Sequence, residues 1–164
     1  MVTHQGSLDL LNDPVARQLL QSSIPARLAY TWTDGTPRVV PIGFHWCGSE
    51  FALGTFPDSP KMQALKDGAR VALSIDSDTM PYRVLLVRGS VRLQHVEGIA
   101  AEYEAMTRRM MEPGMAEGWL ANMRQITPEM TVIFVRPEWV AVQDFETRFP
   151  NAVERRVEAA QAQT

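Results

Sequence analysis

The dipeptide Asp34-Gly35 sits between two runs, RLAYTWT and TPRVVPIGFHW, that are dense in β-branched, aromatic and other apolar residues. Asp-Gly in that setting is the strongest short-range signal for a β-hairpin. A second turn at Cys47-Gly48-Ser49 leads into EFALGTF, so three antiparallel strands are expected in succession. Three more follow. ARVALSID reads as a buried strand, and PYRVLLVRGSVRLQHV as a long one in which Gly89 marks a bulge or bend. MTVIFVRPEWVAVQDF is the last, and Pro137 within it signals an edge position or a bulge, because proline donates nothing to a ladder. Six strands with sparse helices, mostly joined by hairpins, predict a mainly β protein: a small antiparallel barrel.

Helices fill the gaps. Asn12 or Asp13 caps a short helix that begins at Pro14 and ends before Pro25. Ser59-Pro60-Lys61 opens another over residues 60–66, terminated by Asp67-Gly68. Helical spacing then runs from Glu97 to Met111, Pro113-Gly114 breaks it, and MAEGWLANMR adds a turn or two. Residues 1–149 are read as a single domain. Residues 150–164 are polar and alanine-rich, and are expected to be a frayed tail.

Composition excludes several functions. A net charge of −3 offers no basic field to nucleic acid. The lone Cys47 rules out an intramolecular disulfide. Neither a basic leader followed by an apolar run nor a membrane-length apolar stretch is visible, so a cytoplasmic protein with no membrane partner is expected. GxSxG, GxxxxGK[ST] and GxGxxG are missing. His4, His45 and His95 lack metal-ligand spacing, so no metal is expected. His45 shares a strand face with Cys47 and reads as a polar rim residue, with a haem or metal role as the alternative. Glu102, Glu104, Arg108 and Arg109 read as a solvated helix face. Met106, Met110, Met111, Met115, Met123 and Met130 read as flexible core or dimer packing, or else, with Trp119, as a wall against a planar ligand.

The chemistry concentrates in FALGTFPDSPKMQALKD, residues 51–67. Ser59 suits an N-cap and Pro60 the first helical position. A lysine in a first helical turn is electrostatically misplaced unless an anion is bound there. Lys61 is one of only two lysines among sixteen basic residues. With Arg38 on the second strand and the hydroxyls of Thr55 and Ser59, it makes a set suited to a phosphomonoester. Pro41, interrupting the Arg38 strand, leaves backbone groups free to read a ligand edge.

RLAYTWTDGTPRVVPIGFHW, GTFPDSPKMQAL, DGARVALSID and VLLVRGSV, in that order and spacing over roughly residues 14–145, resemble the pyridoxamine 5'-phosphate oxidase-like, FMN-binding split-barrel family. The resemblance implies a six-stranded antiparallel split β-barrel that works as a homodimer, with a flavin at the subunit interface. It implies that the strand matching Arg38, Val39, Val40, Pro41 and Ile42 contacts the ring. It implies too that the segment carrying Thr55, Phe56, Ser59, Lys61 and Met62 holds the phosphate. The expected function is an FMN-dependent oxidoreductase acting on a small organic molecule. The alternatives are an F420 (deazaflavin)-dependent reductase and a flavin- or haem-binding protein without turnover. Three departures separate the chain from the vitamin-synthesising oxidases: Pro60 stands between Ser59 and Lys61 where they have arginine, Val84 where they have glutamine, and Arg148 lacks the histidine of their Arg-x-His motif. The resemblance thus carries the cofactor further than the substrate, and names no catalytic residue.

Overall fold

Gly35 takes the left-handed conformation, φ 84°, at the end of a three-residue loop closed by Trp32 and Thr36. Asp34 Oδ1 fixes the loop by accepting the Thr36 amide at 2.9 Å and hydroxyl at 2.6 Å. In the computed structural model, which describes residues 4–162, this turn joins β1 (Ala26–Thr31) to β2 (Pro37–Ile42), with Tyr30 opposite Arg38 and Leu28 opposite Val40. The other strands are β3 (His45–Trp46), β4 (Phe51–Thr55), β5 (Arg70–Asp76), β6 (Val84–Glu97) and β7 (Glu129–Gln143). All pairings are antiparallel, in the order β2-β1-β5-β6-β7-β4-β3.

The two outermost strands, β2 and β3, are consecutive in the chain and only Gly43 and Phe44 lie between them. The sheet must therefore curl until its edges meet, yet no ladder joins them. The result is a barrel with an open seam. All six expected strands are present, and the second is interrupted at the seam, which raises the count to seven. A Cβ on Gly43 would collide with Met106 Sδ, so the glycine admits a close helix there. The Phe44 carbonyl, lacking a ladder partner, accepts a hydrogen bond from the Arg109 guanidinium instead.

Alternation fills the barrel. Leu28, Leu73, Leu85, Ile133, Val142 and Leu53 point inward and are fully buried. The short helix α1 (Pro14–Leu20) packs Val15, Ala16, Leu19 and Leu20 into the same cluster. Outside the barrel, α2 (Ala101–Met110) and α3 (Pro113–Ile126) follow β6. Tyr103 packs on Ala52, Val132 and Phe134, the outward residues of β4 and β7. Gly54 permits that approach: a Cβ there would lie 2.8 Å from Tyr103 Cδ2. The outward face of β1, β5 and β6 is different. Ala29, Ala72, Ser74 and Leu86 are only partly covered, and Val39 is 66% exposed.

Three expectations need correction, and a fourth resolves between its two alternatives. Residues 60–66 do not form an α-helix; a 3-10 turn, Pro60–Gln63, takes their place, because Leu65 must turn into the core. Of the two readings of Pro137, the edge fails and the bulge holds. β7 is central, and Pro137 faces Gly89 at a register shift that leaves Glu138 unpaired between Arg88–Trp139 and Gly89–Pro137. The helix expected from Glu97 starts at Ala101, since β6 persists to Glu97 and Gly98 turns the chain at φ 65°. The tail is not frayed throughout: α4 (Asn151–Gln161) forms with no buried residue, on the strength of its alanine, glutamate and arginine content. Among the described residues no helix is long and apolar enough to cross a membrane.

Candidate functional site

β4 delivers Thr55 to one mouth of the barrel, where it is 7% exposed. Its Oγ1 lies 3.0 Å from Ser59 Oγ. Ser59 does stand at the N-cap position of the following turn, but its hydroxyl makes no cap hydrogen bond. It is held by Thr55 instead. A single turn of four residues has no appreciable macrodipole, so the dipole argument for an anion at Lys61 fails. Another argument replaces it. Lys61 is half-buried, and burial alone pushes its ammonium pKa down, with no carboxylate acting to restore it. A desolvated cation two residues along the chain from a pair of hydroxyls has the chemistry an oxyanion would satisfy.

The polar row continues across the sheet. Thr55 is paired in register with Thr131, which is fully buried, and Thr131 with His95. Thr131 Oγ1 and His95 Nδ1 are 2.8 Å apart. Neighbouring positions on one face of adjacent strands lie about 5 Å apart, so hydroxyl and imidazole groups span β4, β7 and β6 at this mouth. Met62 packs against the barrel core beside it, while Phe56 is 40% exposed.

β2 presents two faces. Val40 and Ile42 pack against the core on one, with Arg38 exposed at its hairpin end, whereas Val39 and Pro41 on the other are exposed. Ile42 is the end joined to β3 and so to β4. Arg38 is four residues away, roughly 13 Å along an extended strand. Its NH1 donates to Thr36 Oγ1 at 2.7 Å, and its guanidinium lies 5.8 Å from the Trp32 ring. The structure thus joins Thr55 to Ser59, sets Lys61 two residues further on in the same turn, and leaves Arg38 at the hairpin. There Arg38 lines a cavity of 370 Å³ with Arg70 and Arg88. Beside it, Val39, Leu86 and Trp139 line an apolar groove of 330 Å³ on the outer face.

No protein-family model and no curated relative matches the chain. Solved structures do. An F420 reductase is 26% identical, covers 76% of this chain and 94% of its own, and superposes with a TM-score of 0.57. A protein related to general stress protein 26, of the pyridoxinephosphate oxidase family, from Clostridium acetobutylicum, is 16% identical over 83% of this chain and 89% of its own, TM-score 0.55. This chain has the pyridoxamine 5'-phosphate oxidase-like split-barrel fold. The FAD and heme binding protein from Mycobacterium smegmatis shares it at 23% identity, covering 93% of this chain and 78% of its own, TM-score 0.56.

Three residues of this split barrel escaped sequence reasoning. Thr131 and His95 carried no motif; only the register β4–β7–β6 sets them beside Thr55. Arg109 read as part of a solvated helix face, and Glu104, Arg108, Glu117 and Arg124 do form such a network. Arg109 leaves it, turning inward onto Phe44 with its guanidinium carbon 4.6 Å from the ring centre. The methionines divide as well. Met123 and Met130 are buried, Met106 and Met110 crowd Gly43, and Met115 is 66% exposed. Cys47 is exposed. No cluster of three or more His, Cys, Asp or Glu suited to a metal occurs among the described residues.

Proposed function

We propose that this split barrel is a flavin-dependent oxidoreductase that binds FMN between two copies of the chain. The observation that carries the reading is Lys61, a half-buried ammonium without a counter-charge among the described residues, two residues along the chain from Ser59 and its hydroxyl contact with Thr55. Thr55, Ser59 and Lys61 would hold the phosphate, with Phe56 and Met62 flanking it. The backbone of β2 from Val39 to Ile42 would line the ring, its ladder partners thinned by Pro41. The flavin supplies hydride transfer when bound; the chain supplies a charged anchor, an apolar bed and exclusion of water. Arg38, at the hairpin end of β2, is better placed to meet a second part of the ligand than the first phosphate.

That position gives the F420 reading its support. Arg38, Arg70 and Arg88 line one cavity, and no carboxylate shares its wall. A deazaflavin with a polyanionic tail suits three guanidinium groups, although Arg70 is already engaged by Glu138 at 2.8 Å. The 26% identity to an F420 reductase favours the same alternative.

Fluorescence titrations with FMN and with F420, on the natural chain and on Lys61→Gln, test both. FMN is expected to bind, and the substitution to weaken it about tenfold or more, the worth of one charge-assisted contact. Tighter binding of F420, falling steeply with salt, transfers the assignment to the deazaflavin. Failure of both ligands to bind refutes the proposal. Reduction of the loaded protein by NADPH without air separates an enzyme from a carrier, which would bind its flavin and never cycle.

A further inference from the structure

The Arg109 guanidinium has five N–H donors. Its NH2 donates to the Phe44 carbonyl, while Nε and NH1 are shut off from solvent with no hydrogen-bond partner among the described residues. A desolvated charge with neither a counter-ion nor a full set of acceptors is among the costliest arrangements in a folded protein. Burial lowers its pKa, and no acidic group opposes that shift. Holding the barrel seam at Phe44 explains where Arg109 lies. It does not explain two idle nitrogens, which carry three N–H donors between them.

The same side chain lines a cavity of 440 Å³ between α1, β3 and α2, within the size range of small-molecule sites. Arg17 and Gln21 come from α1 and its C-cap, His45 and Trp46 from β3. No carboxylate lines the cavity, and no ion pair engages Arg17 among the described residues. Two guanidinium groups, an imidazole and the two amides of Asn12 and Gln21 therefore surround a space with no anion of the protein's own among the described residues. This is not the Thr55 seat. His45 is opposite Ala52, three residues before Thr55 on β4, or roughly 10 Å of strand.

We propose that this cavity binds the oxyanion group of a small molecule, a carboxylate or a phosphate ester. Arg17, His45 and Gln21 contact it, and Arg109 stands behind them as the buried counter-charge. The proposal is independent of the flavin reading.

Because Arg109 also ties Phe44, its replacement risks the fold. Arg17, which is exposed, and His45, which is partly so, carry the test. The full chain is titrated with succinate, and separately with methyl phosphate, at constant ionic strength set by sodium chloride, while NMR follows the His45 ring and the Arg109 side chain. Saturable shifts at both are expected. Affinity should fall about tenfold in Arg17→Gln and again in the Arg17→Gln, His45→Gln double variant. Saturation by succinate alone assigns a carboxylic acid, and by methyl phosphate alone a phosphate ester; either supports the site. Shifts that chloride reproduces, that survive the double variant unchanged, or that centre on Ser59 and Lys61 overturn it.

Discussion

Arg148 commits all three guanidinium nitrogens to two aspartates: Nε to Asp144 at 3.1 Å, NH1 and NH2 to Asp13 at 2.6 and 3.1 Å. Asp13 meanwhile caps α1 through the Val15 amide, so one ion cluster pins the chain after β7 to the start of the molecule. Burial pushes Asp144 upward, but the amides of Thr147, Arg148 and Glu146 and the Thr147 hydroxyl win, holding it well below the usual carboxylate range. Asp13 is lowered too: burial opposes the shift, and Arg148 and the Val15 amide outweigh it. A depressed folded pKa gives stability that is complete above the unfolded value of about 3.9 and is lost as pH falls through the folded one. Asp144→Asn should therefore cost about 2–3 kcal/mol at neutral pH. Its deficit against the natural chain should shrink below about pH 4 as the carboxylate protonates. Urea denaturation at a series of pH values measures this, and a deficit that stays constant into acid contradicts it. The cap was legible, since Asp13-Pro14 precedes an apolar period. The ion pair was not, because its partners are 135 residues apart. Ser59 lies between these cases: its position was readable, but the choice of Thr55 over an amide depended on how far the following turn would extend.

Strand β6 depends on Gly89 in a way that β4 does not depend on Gly54. A Cβ on Gly89 would run into the Arg136 carbonyl, with the Arg136 carbonyl carbon at 2.9 Å, and backbone locked in the β6–β7 bulge has nowhere to retreat. A Cβ on Gly54 would meet Tyr103 at 2.8 Å and Met130 Sδ at 3.1 Å, side chains that can shift. Gly54→Ala is accordingly expected to cost about 1–2 kcal/mol and Gly89→Ala about 3 kcal/mol or more. Chemical denaturation midpoints would expose the error if the order were reversed or the two were equal. Elements themselves were largely readable here, because alternation and the Asp34-Gly35 turn act locally. Gly89 and Pro137 each announced an irregularity, but nothing in the sequence says that they face one another. The segment from Pro60 misled for a similar reason. Its residues tolerate a helix, while the burial of Leu65 and the hydrogen bond from the Leu93 amide to Asp67, 2.7 Å, draw the chain away after one turn.

At the level of the whole molecule, the outside of the sheet is used unequally. The helix α2, with α3 packed on it, covers β3, β4 and β7, where Gly43 and Gly54 let it approach. The face of β1, β5 and β6 keeps its apolar groove, with Val39, Leu86 and Trp139 along it and Arg27 and Arg88 at its margin. That half was legible only as a general consequence of a small barrel having more apolar strand surface than two helices can hide. Which half stays open followed from tertiary placement. A symmetric pair of chains meeting across this groove would bury Val39 and enclose the β2 backbone that our functional reading assigns to the ring, so dimerisation and flavin affinity should be coupled. Light scattering coupled to size exclusion is expected to give about twice the 18.4 kDa chain mass. Leu86→Glu, which places a carboxylate in the groove without touching Thr55, Ser59 or Lys61, should yield a monomer that retains its fold by circular dichroism. That monomer should bind FMN about tenfold or more weakly, because one wall of the bed has been removed. A Leu86→Glu dimer would show that the chains meet elsewhere, and a monomer with undiminished flavin affinity would show that the bed is complete within one chain.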